Sequence, residues 1–254
     1  FHAGSFQPQP GKSAEWNRGA YLVEGPGHCA ACHTPKNMLG ATKDKQALGG
    51  GDAGEHWYAP SLAGGLREGL GHWSQADIVE YLKTGSNSKT AAAGPMVDVI
   101  SHSTQHLNDG DLRAIATYLK DMPARGADDN RKQAKADEQV MAQGAGLYLD
   151  NCAGCHMSNG RGQAGVFPSL AGSSAIQAGK ADTLIHMVLS GDKRPATSTK
   201  PTALAMPSFE DKLNDQEIAN LVTYVRNAWG NSAAPVSADT VTAVRKDLAH
   251  GSGG

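Results

Sequence analysis

Cys29-Ala30-Ala31-Cys32-His33 and Cys152-Ala153-Gly154-Cys155-His156 contain every cysteine of the chain, and in both a histidine directly follows the second thiol. Paired thiols with an adjoining imidazole suit one chemistry: the thiols add across the vinyl groups of a porphyrin, and the imidazole reaches its iron from the proximal side. A zinc site made of two Cys-x-x-Cys pairs separates them by roughly 15–20 residues, whereas these pairs lie in opposite halves of the chain. A thioredoxin-like pair follows a strand in a βαβ pattern and has no use for the neighbouring histidine. The expectation is two covalently attached haem c groups, held by Cys29, Cys32, Cys152 and Cys155, with His33 and His156 as proximal iron ligands.

A closed iron site needs a second axial ligand, and position sorts the seven methionines. Met38 and Met157 follow a proximal histidine too closely to cross to the opposite haem face; Met122 and Met141 flank a polar stretch, and Met187 lies at core spacing in a helix. Met96 and Met206 remain, each in a Gly- or Pro-containing loop: Ala93-Gly94-Pro95-Met96 and Ala205-Met206-Pro207-Ser208-Phe209. A neighbouring proline stiffens such a loop, which matters because a thioether is a weak ligand. His28, His56, His72, His102, His106 and His186 compete for the role, His102 and His106 most directly. A histidine in place of Met96 would remove the rise in potential that His/Met ligation gives. Pro60 and Pro168 recur at matching places after the motifs; either their carbonyls accept the proximal imidazole N–H, or they simply form turns.

These residues need helices to position them, and the chain repeats one set twice. Gly19-Ala20-Tyr21-Leu22 answers Gly146-Leu147-Tyr148-Leu149 ahead of the motifs, and Pro60-Ser61-Leu62-Ala63-Gly64 matches Pro168-Ser169-Leu170-Ala171-Gly172 after them. Amphipathic helices are expected over Trp73–Thr84, stopped by Gly85, and over Ala181–Ser190, stopped by Gly191. A last helix in each half opens at Leu107-Asn108-Asp109 and Leu213-Asn214-Asp215. Its core face is Leu112, Ile115, Ala116 and Leu119 in one half, and Ile218, Leu221, Val222 and Val225 in the other. No strand pattern appears. The stretch Pro123–Gln139 reads as a solvated linker, partly helical toward its end, and both termini read as poorly ordered arms.

At 254 residues the chain has room for two domains. Four Trp, six Tyr and four Phe would leave thin cores, which a large apolar ring in each domain would fill. A formal charge of −2 shows no basic excess, so no nucleic-acid partner is expected. No stretch approaches the roughly 18–20 apolar residues of a membrane span, and no charged-then-apolar leader opens the chain. Covalent haem attachment is chemistry of the outer face of the cytoplasmic membrane. The leader is therefore expected to have been removed or left out, and the mature protein to be periplasmic, soluble or peripherally bound to that face.

The order helix, Cys-x-x-Cys-His, Pro loop, helix, methionine loop, helix resembles the class I cytochrome c fold. The resemblance implies an all-α protein of two tandem class I cytochrome c domains: an N-terminal arm (1–12), domain 1 (13–122), a linker (123–138), domain 2 (139–231) and a C-terminal tail (232–254). Glu15-Trp16-Asn17-Arg18-Gly19-Ala20-Tyr21-Leu22-Val23-Glu24-Gly25, Gly27-His28-Cys29 and Cys32-His33-Thr34-Pro35-Lys36-Asn37 sharpen it. So do Tyr58-Ala59-Pro60, Ala93-Gly94-Pro95-Met96 and Ala114-Ile115-Ala116-Thr117-Tyr118-Leu119. These resemble the central haem domain of cytochrome c subunits of membrane-bound bacterial dehydrogenases acting on alcohols, gluconate or other sugars, and aldehydes. That likeness implies no catalytic residues of its own and a catalytic partner of flavin, pyrroloquinoline quinone or molybdenum type. It implies ubiquinone or a terminal oxidase as acceptor. Such subunits usually carry three haems, so the first domain is expected to be missing here, with Phe1–Pro10 resembling the joining segment. Two other readings stay open: a free electron carrier, and a two-haem peroxidase, which needs a releasable distal position.

Overall fold

The computed structural model describes residues 5–124 and 136–251. Most of the expected linker, 125–135, lies outside the described residues. The first half contains α1 (Ala14–Glu24), α2 (Ala30–His33), β1 (Gly51–Gly54), β2 (Trp57–Ala59), α3 (Gln75–Thr84), α4 (Pro95–His102) and α5 (Asp109–Lys120). The second contains α6 (Glu138–Asn151), α7 (Ala153–His156), α8 (Ser174–Gln177), α9 (Asp182–Ser190), β3 (Asp192–Lys193), β4 (Ala205–Met206), α10 (Asp215–Asn227) and α11 (Ala238–Gly251). The fold is all-α with minor strand. β1 pairs antiparallel with β2 and β3 with β4. The sequence shows no strand pattern there because these pieces are too short to establish a period of two.

Local signals explain where the long helices begin and end. Ser74 accepts from the Asp77 backbone while Asp77 reaches back to Ser74, and Asn214 and Glu217 make the same reciprocal box at α10. Trp73 therefore lies outside the helix, which starts at Gln75. Asn108 caps α5, and Gly85 ends α3 in the left-handed conformation, φ 77°.

Apolar residues gather into two cores, one in each half. In each, the helix ahead of the motif crosses the last helix of its unit so closely that only glycine fits. A Cβ on Gly19 would lie 1.9 Å from the Ala114 carbonyl oxygen, and one on Gly144 would lie 2.3 Å from that of Asn220. Gly146, which the sequence pairs with Gly19, meets nothing within 4 Å. The structural partner of Gly19 is Gly144, so that of Tyr21 is Gly146 and that of Tyr148 is Val23. Tyr21 is accordingly exposed while Tyr148 is fully buried. The cause is a spacer, Gly25-Pro26-Gly27-His28, between α1 and Cys29, whereas α6 runs straight into Cys152.

Both expected arms are folded where described. Phe6 packs edge-on against Tyr21, their ring centroids 5.7 Å apart, and Lys12 pairs with Asp121 at 2.6 Å. At the other end α11 lies on the second core with Val241 and Val244 buried, and Arg245 pairs with Asp215 at 2.7 Å. Its apolar stripe is only three residues wide (Val241, Val244 and Leu248), too narrow to stand out among its Ala, Asp, Thr and Lys neighbours.

Candidate haem-attachment sites

Each motif forms a single turn of helix, which brings the second cysteine and its histidine round from the first cysteine. In the first unit the turn is pinned by Gly50, whose N–H donates to the His33 carbonyl at 2.9 Å at the start of the β1–β2 hairpin. β2 then runs into Pro60, whose carbonyl oxygen lies 2.7 Å from His33 Nδ1. In the second unit Gly162 N donates to the His156 carbonyl at 3.0 Å, and the Pro168 carbonyl lies 3.0 Å from His156 Nδ1. The acceptor comes 27 residues after the histidine in one unit and 12 in the other. The hairpin is thus an elaboration around a contact the second unit makes with a short loop.

A carbonyl can only accept, so Nδ1 carries the proton and Nε2 keeps a free lone pair in both rings. Burial lowers the pKa of His33 and His156, and the carbonyls pull the other way; the neutral, metal-binding form prevails. Burial likewise pushes the Cys29 and Cys152 thiols up to about 11. All four cysteines are free of disulfides. Of the two roles open to Pro60 and Pro168 in the sequence, the backbone places both carbonyls on the imidazoles.

Met206 forms β4, paired with Asp192, and packs against the second core. Met96 is not in a loop: it occupies the second position of α4, which opens at Gly94 (φ 52°) with Pro95 as its first residue. Proline is favoured at that position because its missing N–H would be unsatisfied anyway, so the Gly-Pro pair that suggests a loop in the sequence opens a helix instead. The rival histidines are otherwise engaged or exposed. His102 is 80% exposed at 3.9 Å from Asp98, and His106 Nε2 lies 3.2 Å from the Ser101 carbonyl. His56 bonds Asp247 at 2.8 Å, and His186 stacks on Trp57 with centroids 4.1 Å apart. Met38 stands wholly in solvent.

A cleft lies where the two units meet. A cavity of about 280 Å³ is bounded by Thr84 and Ser86 of the first unit and by Gly165, Val166, Arg194 and Leu204 of the second. Free paired thiols and an adjoining imidazole that offers Nε2, oriented by a backbone carbonyl, fit a covalently held haem in each unit. The two distal segments also meet: Gly94 N donates to Asp192 Oδ1 at 3.4 Å, placing Met96 and Met206 on either side of the seam between units.

Such an arrangement defines a c-type haem protein built of two like helical units. The chain belongs to the cytochrome c family, whose profile matches residues 17–123 and 141–229, and covalent haem c is the cofactor of that family. It is 40% identical to the gluconate 2-dehydrogenase cytochrome c subunit of Pantoea cypripedii, over 96% of this chain and 59% of that protein. It is 42% identical to the cytochrome c subunit of the alcohol dehydrogenase (quinone) of Gluconobacter oxydans, over 90% and 51%. It is 37% identical to the fructose dehydrogenase cytochrome subunit of Gluconobacter japonicus, over 91% and 52%. The chain spans between half and three-fifths of the length of these relatives.

Proposed function

We propose that the chain is the electron-transfer part of a dehydrogenase complex: a periplasmic cytochrome holding two haems, with no catalytic site of its own. It takes electrons from a catalytic subunit of flavin, pyrroloquinoline quinone or molybdenum type and delivers them to ubiquinone or a terminal oxidase. The observation that carries this reading is likeness along nearly the whole chain, both units included, to cytochrome subunits of gluconate, alcohol and fructose dehydrogenases. Their substrates differ while the cytochrome persists, so the common element is the route for electrons and not the molecule oxidised.

Haem c, when bound, supplies reversible one-electron chemistry. The chain's residues do the rest. Cys29, Cys32, Cys152 and Cys155 would fix the ring covalently; His33 and His156 would present Nε2 to it, oriented through the Pro60 and Pro168 carbonyls. Met96 and Met206 offer sulfur from the opposite segments. Were His33 with Met96 and His156 with Met206 to hold the two irons, no place would be left for a substrate there, which favours relay over peroxidase chemistry. Periplasmic residence, soluble or peripheral to the membrane, follows from where thioether attachment takes place. No described helix is long and apolar enough to cross a membrane.

Gentle affinity purification of the tagged protein from detergent-treated source membranes, with mass spectrometry of what remains bound, tests the assignment. A large dehydrogenase subunit in fixed ratio is the expected result and would name the substrate. A haemoprotein eluting alone would make the chain a free carrier.

A further inference from the structure

The first unit spends 27 residues between its motif histidine and the carbonyl that orients it, where the second spends 12. Part of the surplus has a use within the fold, since the β1–β2 hairpin docks on α9 of the second unit. The other part, residues 36–46, is exposed at every position. It forms a finger with a fixed base and a projecting tip. At the base Thr34 is buried and its Oγ1 accepts from Leu48 N at 3.0 Å, while Lys43 N donates to the Pro35 carbonyl at 2.8 Å. At the tip Met38 stands wholly in solvent and Leu39 is 92% exposed. Single apolar side chains are common on protein surfaces. Two large ones side by side at the end of a braced loop instead form a contact surface awaiting an apolar phase.

The hydrogen bonds of the tip and the charges behind it point to that phase. Asn37 Oδ1 accepts from Leu39 N at 2.9 Å and from Ala41 N at 3.1 Å. Gly40 N donates to the Asn37 carbonyl at 2.9 Å, and Asn37 N to the Ala41 carbonyl at 2.8 Å. A turn that satisfies these amides internally loses little when water is withdrawn, which is what entry into lipid demands. Behind the tip stand Lys36, Lys43 and Lys45, all exposed, with Asp44 as the one carboxylate among residues 36–46. An apolar point with a basic collar complements hydrocarbon beneath acidic headgroups. Two side chains offer far less than the roughly 800 Å² per partner of a stable protein interface. On a lipid surface, by contrast, apolar burial and lysine attraction simply add. We propose that residues 36–46 are a membrane-contacting finger: Met38 and Leu39 enter the headgroup layer of an anionic bilayer, and Lys36, Lys43 and Lys45 lie against its phosphates. The inference rests on the periplasmic reading above and deepens it by naming the surface that meets the membrane. Because the finger follows directly on the first motif, the contact holds the first attachment site close to the bilayer.

The test is co-sedimentation of the detergent-free holoprotein with sucrose-loaded vesicles, one set of mixed phosphatidylglycerol and phosphatidylethanolamine and one of phosphatidylcholine alone, with the bound fraction read from haem absorbance. Wild type should sediment with the anionic vesicles, less so as salt rises. The double variant Met38→Ser, Leu39→Ser should lower its partition coefficient by about tenfold or more. Lys43→Gln with Lys45→Gln should lower it by about tenfold on anionic vesicles only. Leu66→Ser removes an exposed apolar side chain outside the finger and should bind as wild type does. All these positions are exposed, so the variants should mature normally. Absence of wild-type binding to anionic vesicles overturns the proposal, as does wild-type binding by both finger variants, or a loss in Leu66→Ser equal to that of the tip variant. A tip variant that sediments normally yet no longer co-purifies with a dehydrogenase subunit makes the finger a protein-docking element and also overturns it. The vesicle assay contains no dehydrogenase. A missing partner in the affinity purification therefore refutes the proposed function and leaves the vesicle result intact, whereas failure on vesicles with the partner retained refutes the finger alone.

Discussion

A ligand histidine must be both neutral and aimed, and Pro60 and Pro168 serve both needs with backbone atoms that a side-chain substitution leaves in place. The replaceable side chains are on the other face. Met206→Ala should remove the weak far-red sulfur-to-iron absorption of one haem only and lower its potential, as loss of methionine ligation predicts; an unchanged spectrum would remove Met206 from the ligand set. Wild-type reduced protein should not bind carbon monoxide, and rapid stoichiometric binding would mean an open iron. Away from the cofactor, Arg18 bonds Asp111 through Nε at 2.7 Å and Nη2 at 3.0 Å, and this contact holds the Asp111 carboxyl below its ordinary range. A lowered carboxyl pKa stabilises the fold above the unfolded value near pH 4 and ceases to do so as pH falls through the folded value. Arg18→Gln should therefore cost about 0.5 kcal/mol at pH 7, given its solvent exposure. Denaturant titrations should show the difference fading below about pH 4. The His33–Pro60 and His156–Pro168 contacts were legible because each proline recurs after its motif. The hairpin that leads to Pro60 was not, because the second unit makes the same contact after 12 residues where the first takes 27.

Among the elements, helices with strong caps and apolar faces were legible nearly to the residue: Leu112, Ala116 and Leu119 are buried as their spacing requires, as are Ile218, Leu221 and Val222. What misled the alignment of the two halves was the spacer before Cys29, since matching Gly-x-Tyr-Leu words ignored the three-dimensional demand on Gly144. Two single substitutions separate word from contact. Gly144→Ala should destabilise the protein by about 2 kcal/mol through the clash with Asn220 and Tyr224. Gly146→Ala, two positions away and facing open space, should instead gain about 0.5–1 kcal/mol. Thermal unfolding followed by circular dichroism reads both, and equal effects would mean the crossing is looser than described. α11 was missed for an energetic reason: its stability comes from laying Val241 and Val244 on a core assembled elsewhere in the sequence.

At the scale of the molecule the two units are joined by specific contacts. Thr183 Oγ1 accepts from Tyr58 N at 2.7 Å and donates to the Tyr58 carbonyl at 3.2 Å; Trp57 stacks on His186; Lys180 pairs with Asp52 at 3.2 Å. Trp57→Ala empties the middle of this seam. Calorimetry of the holoprotein should then show two separated transitions where the wild type shows one, and a single transition in both would mean the seam does not couple the units. None of this was legible in the sequence, because repeats reveal likeness of parts and not how the parts touch. The contact itself joins unlike surfaces, the hairpin of one unit against α9 of the other. Two copies meeting back to back would have identical ends, whereas a heterologous join leaves a front and a rear that differ. The molecule therefore has polarity: its two ends present different surfaces, so a docking protein can tell one end from the other by shape alone.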